Sequence, residues 1–114
     1  MNRKARRAAI LRVIEGRSGD SNLSAIAVAR MLGITPRYVH LLLEETGKSF
    51  THHLLARRLQ KAALMLRDTR WSYRKIAEIA VEAGFTDLSY FNRAFRRSFG
   101  LTPSQMRGQT RQSE

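Results

Sequence analysis

Near the end of the chain, the stretch EAGFTDLSYFNRAFRRSFGLTP sets Arg93, Arg96 and Arg97 among Phe85, Tyr90, Phe91, Phe95 and Phe99. Two chemistries use these residue types together. Guanidinium groups fork onto phosphate oxygens and onto the acceptor edge of guanine. Aromatic rings either stack on bases or fill a core. At ~100° per residue, Leu88, Phe91, Phe95 and Phe99 share one side of a helix, and Ser89, Arg93 and Arg97 the other, with Tyr90 and Arg96 at its margins. The aromatics are therefore expected to form a core face, with Phe85 plugging the core beside the turn. The arginines are expected to face outward. This helix carries no acid after Asp87, which is unusual for a face that is merely solvated.

A second outward face carries Arg37, His40, Leu41 and Glu44, opposite Val39, Leu42 and Leu43. Arg37 suits a guanine edge, and an exposed Leu41 suits a thymine methyl; the bland alternative for Leu41 is packing against a neighbouring helix. Glu44 would repel phosphate unless it reads a cytosine amino group or lies clear of the backbone. His40 reads as a polar contact rather than a metal ligand. His52 and His53 are adjacent and diverge on a helix, so no metal pair is expected. The chain has no cysteine, no phosphate-cradling glycine loop and no nucleophile elbow. Glu78 and Glu82 are an ordinary i, i+4 pair on a solvated face. No catalytic, cofactor or metal site is expected, and an enzyme is not.

These residues need elements to hold them. The 114 residues suit one domain or two very small ones, and 43% hydrophobic content suits a folded chain. A net charge of +12 demands a polyanionic partner, with nucleic acid first and an anionic membrane surface second. The basic, apolar start resembles a leader, but Arg12 and Glu15 interrupt it, so it reads as a helix with Ile10, Val13 and Ile14 on one face. No stretch approaches the ~20 apolar residues of a membrane span.

Nearly every segment has helical periodicity, and the fold class is all-α. Gly16 to Asn22 reads as a loop. Ser24 caps the next helix, with Leu23 and Val28 as a hydrophobic staple; Gly33 stops it. Thr35 caps another, which Gly47 ends. A longer amphipathic helix follows, with its stripe at Leu55, Leu59, Ala62, Ala63 and Leu66. RDTRWS breaks it. The next helix begins between Ser72 and Ile76 and runs to Gly84. Asp87 caps the arginine-bearing helix, which ends at Gly100. Pro103 opens a last turn before a polar tail, about 109–114, expected to be frayed.

The chain contains a weak internal repeat. Ala29 and Ala80 each lie four residues before a glycine, Gly33 and Gly84. After the glycine, Thr35-Pro36-Arg37-Tyr38-Val39 answers Asp87-Leu88-Ser89-Tyr90-Phe91, with one more residue in the second turn. Two helices meeting steeply through a short turn need a small residue at the contact, a positive-φ glycine and a cap to restart. That is a helix-turn-helix, present twice, at about 23–47 and about 72–100.

On these residues, and on IAVEAGFTDLSYFNRAFRRSFGLTPSQMR with GITPRYVHLLLEETGKSF and RRLQKAALML, the chain from Leu23 to Arg107 resembles the DNA-binding domain of the AraC/XylS transcription regulators. The resemblance implies a seven-helix domain in which a linker helix, about 50–68, joins two helix-turn-helix units. It implies double-stranded DNA as partner, read by both units in successive major-groove segments ~34 Å apart. Its base-facing positions fall on Arg37, His40 and Leu41, and on Leu88, Ser89, Tyr90 and Arg93; Asn92, Arg96 and Arg97 complete the expected DNA-binding set. The second and fifth helices would direct N-terminal amides at phosphate. Leu41 stands where the family often has arginine, which implies fewer bases read there; Leu43, His53 and Met106 replace common aromatics and change packing only.

The resemblance further implies a cytoplasmic transcription regulator, an activator in most cases, that contacts RNA polymerase and needs no cofactor. Many members carry a separate effector-binding or dimerisation domain, for which these residues leave no room. The chain is thus a stand-alone regulator or a piece of a longer one. The rival reading is a non-specific basic module for RNA or anionic surfaces.

Overall fold

The structure is a computed structural model that describes residues 2–113, with side chains to Thr110. Seven α-helices and one 3-10 turn appear among the described residues. They are α1 (Arg3–Arg17), α2 (Ala25–Leu32), α3 (Pro36–Glu44), α4 (Phe50–Arg67), the 3-10 turn (Thr69–Trp71), α5 (Ile76–Glu82), α6 (Leu88–Phe99) and α7 (Pro103–Ser113). The chain divides into two compact units at Arg57/Arg58, inside α4.

In the first unit α1, α2 and α3 pack on one another. Asn2 caps α1 by accepting from the Ala5 N–H at 2.8 Å, which satisfies a donor left free at the helix start. Ile10, Ile14, Val28, Val39, Leu42 and Leu43 are fully or almost fully buried. Ser24 Oγ accepts from the Ala27 N–H at 3.1 Å, and Leu23 and Val28 are both buried beside this cap, as the staple pattern requires.

The expected stripe on α4 is incomplete. Leu55 is only half-buried, whereas Phe50, Leu54 and Met65 are buried beside Leu59, Ala62, Ala63 and Leu66. The cause is that α4 serves two cores. Phe50 and Leu54 belong to the core of the first unit, and the positions from Leu59 onward lie in the second. One continuous stripe does not describe a helix that changes neighbours part-way.

In the second unit α5 and α7 both pack against α6. Its aromatic spine runs Phe85–Phe91 at 4.8 Å between ring centroids, Phe91–Phe95 at 5.6 Å and Phe95–Phe99 at 4.6 Å, all tilted. These are favourable ring geometries. The sequence suggested only a last turn after Pro103, but α7 continues to Ser113; Glu114 lies outside the described residues. A capping box starts this helix: Thr102 N–H donates to Gln105 Oε1 at 2.9 Å, and Gln105 N–H donates to Thr102 Oγ1 at 3.1 Å. Met106 is buried on its inner side. Arg107 donates to the carbonyls of Ser72 at 3.1 Å and Arg74 at 2.6 Å, which ties α7 to the segment entering α5.

Candidate nucleic-acid interface

The two halves of the repeat share their main turn and cap bonds, although the Gly33 N–H bonds Ala29 O and the Gly84 N–H bonds Val81 O. In the first unit the axes of α2 and α3 bend by 103°, within the range of helix-turn-helix motifs. Gly33 takes the left-handed conformation, φ 67° and ψ 32°, and Ile34 N–H donates back to Ala29 O at 3.0 Å. In the second, Gly84 has φ 106°, and Phe85 N–H donates back to Ala80 O at 2.9 Å. Ala29 and Ala80 are both buried, so the small side chain sits where the helices touch. The caps match too: Thr35 Oγ1 accepts from Tyr38 N–H at 3.1 Å, and Asp87 Oδ1 from Tyr90 N–H at 3.0 Å. The next residues, Val39 and Phe91, are wholly buried.

The caps set one register for both helices. Arg37, Tyr38, His40, Leu41 and Glu44 of α3, with its C-cap Glu45, correspond to Ser89, Tyr90, Asn92, Arg93, Arg96 and Arg97 of α6. Arg37, His40, Leu41 and Glu44 are all exposed, as are Ser89, Asn92, Arg93, Arg96 and Arg97. Leu41 is 44% exposed and so stands outside the buried core of the first unit.

Two expectations for α6 fail at its ends. Leu88 and Phe99 were placed in the core by the wheel, yet they are 44% and 37% exposed. Leu88 is the first helical residue and Phe99 the last. The unit buries the middle of the helix, at Phe91 and Phe95, and leaves both ends of the stripe open. Leu88 is thereby exposed, as are its neighbours Ser89 and Tyr90. Tyr90 is 42% exposed and leans on Phe85 at 6.4 Å.

Asp68, Glu78, Glu15 and Glu45 are tied up by other cations. Asp68 pairs with Arg70 at 2.7 Å, Glu78 with Arg74 at 3.0 Å and Glu15 with Arg57 at 3.6 Å. The Arg70 hydrogen bonds hold the Asp68 carboxyl below its usual range, and the Arg74 bond does the same for Glu78. Glu45 is bound by Arg3 and Arg7 of α1. Among the described residues no ion pair involves Arg37, Arg93, Arg96 or Arg97. Sequence reasoning missed the Arg3–Glu45–Arg7 contact and the Arg6 guanidinium 5.8 Å from the Tyr38 ring. Partners so distant along the chain leave no periodic signal.

The turn after α3 holds a histidine. Thr46 Oγ1 donates to Leu43 O at 2.6 Å and lies 2.8 Å from His53 Nε2; with its one proton spent, the hydroxyl accepts from Nε2–H. Burial, then the nearby His52, Lys48 and Arg57, lower the pKa of His53. An unfolded chain binds this proton near pH ~6.5, whereas the folded chain resists it to lower pH. Stability is therefore full above that value and is lost as pH falls through the interval below it. Thermal melts should drop from neutral to mildly acidic pH, and His53→Gln should remove that part of the slope; an identical slope in the variant would assign it to other groups.

A family model described as a helix-turn-helix domain matches residues 28–109. The chain is 37% identical over 103 residues to the transcriptional activator RhrA of Rhizobium meliloti, covering 90% of this chain and 32% of that protein. It is 34% identical over 89 residues to the arabinose operon regulatory protein of Escherichia coli, covering 77% and 30%. The chain belongs to the AraC-type helix-turn-helix family. Its members are DNA-binding transcription regulators, some of them named activators, and not enzymes. The C-terminal domain of AraT, a response regulator from Geobacillus stearothermophilus, has the same fold as this AraC-type chain: TM-score 0.81 at 31% identity, covering 91% of this chain and 84% of that one. The chain spans about a third of the length of these curated relatives. No single helix among the described residues is long and apolar enough to cross a membrane.

Proposed function

We propose that this AraC-type chain binds double-stranded DNA sequence-specifically, with α3 and α6 each reading a segment of the major groove. The observation that carries the reading is the twofold helix-turn-helix, whose outer faces hold exposed arginines that make no ion pair among the described residues, while Glu15, Glu45, Asp68 and Glu78 are paired with other cations. Arg37, His40 and Leu41 are the base-facing residues of α3. Leu88, Ser89, Tyr90, Asn92 and Arg93 are those of α6, with Arg96 and Arg97 toward phosphate. The two segments are successive, ~34 Å apart on one face of B-DNA. The biological role is transcription regulation in the cytoplasm, by activation through RNA polymerase, in line with the named activators among its relatives.

Selection of bound sites from random duplex DNA, followed by footprinting, tests this reading. Two protected groove segments with an asymmetric consensus are expected. Equal affinity for duplex DNA, single-stranded RNA and anionic vesicles would leave only non-specific charge. Within the site, Arg93→Ala should cost ~1–3 kcal/mol on the selected sequence and relax preference at one position. Equal weakening on random duplex would reduce Arg93 to a phosphate contact.

A further inference from the structure

The shared register of the two units exposes one opposition of charge. Glu44 of α3 occupies the position that Arg96 occupies in α6. At ~100° per residue Glu44 lies ~20° from Arg37 on the wheel, on the side toward His40. It thus stands within the outer stripe, not at its edge, and it is exposed. Its neighbour Glu45 is held by Arg3 and Arg7. No ion pair with Glu44 exists among the described residues.

We infer that Glu44 is a specificity-determining residue, whose carboxylate accepts a hydrogen bond from the N4 amino group of a cytosine in the groove segment read by α3. An ionised carboxylate offers acceptors only. Phosphate, guanine O6 and N7, and thymine O4 offer acceptors as well, so each of them repels it. Adenine presents an amino group beside the acceptor N7, which a carboxylate leaves unmatched. Cytosine presents N4–H₂ without an adjoining acceptor. The two units would then divide the work: Arg93, Arg96 and Arg97 make α6 the cationic prong, and α3 is the more selective one.

This inference rests on the reading of α3 as a groove-facing helix, and the test separates the two. Sites are selected from random duplex DNA with the wild-type chain, Glu44→Gln and Glu44→Ala, each checked by thermal melting. The wild type should require cytosine at one position of one half-site, with a loss of roughly 10-fold on replacing that base. Glu44→Gln should shift the preference there to adenine, whose N6 and N7 suit a carboxamide. Glu44→Ala should abolish it, with the other half-site unaltered in both variants. Retention of the cytosine by both variants overturns the inference; so does a uniform gain on all duplexes with an unchanged consensus, which would make Glu44 a plain repulsive charge. A wild-type chain that selects no consensus at all would instead refute sequence-specific binding itself.

Discussion

Phe91→Ala is expected to destabilise the second unit by about 3–5 kcal/mol. The ring is wholly buried and stands between Phe85 and Phe95 at 4.8 and 5.6 Å. Its removal takes away both ring contacts and leaves a void at the junction of the turn with α6. The backbone N–H of the same residue closes the first turn of α6 on Asp87 O at 3.0 Å, so the void lies under the start of the exposed arginine-bearing stripe. Chemical denaturation followed by circular dichroism measures the loss. A variant with an unchanged transition but no DNA binding would move Phe91 from the core to the interface, and the reading of the aromatics as packing would be wrong.

DNA affinity is expected to fall steeply with salt. Arg37, Arg93, Arg96 and Arg97 are exposed and unpaired by acids among the described residues. If each guanidinium releases one counterion, whether it ends on a phosphate or on a base edge between the phosphates, the slope of log K against log salt is about −3.6, or roughly a 150-fold loss between about 50 and 200 mM. Further phosphate contacts steepen it. Replacing Arg93, Arg96 and Arg97 together by glutamine should flatten the slope by about 2.7. Fluorescence anisotropy on one duplex at several salt concentrations reads both values. A variant slope equal to that of the wild type would place the electrostatic contact on some other face.

The helix-turn-helix repeat was legible because its determinants are local. A glycine at positive φ, a Thr or Asp cap and an alanine at fixed spacing act within one turn of chain, and each recurs in the structure with its expected bond. The candidate site was legible for the same reason. Once α3 and α6 are helices, the wheel turns Arg37, His40, Arg93 and Arg97 outward without reference to anything else.

What the amino-acid order alone determined, then, is the helices before α7, the Ser24, Thr35 and Asp87 caps, the twofold motif and the family. Only the tertiary structure decided how far each apolar stripe is covered, because burial depends on which other element arrives to cover it. Leu88 and Phe99 continue the stripe of α6 and still face outward, and Phe50, Leu54 and Met65 depart from the single stripe of α4 and are buried. It also decided which charges survive. Glu45 and Glu44 are neighbours of one type in the sequence, but α1 folds back with Arg3 and Arg7 onto the first and leaves the second exposed.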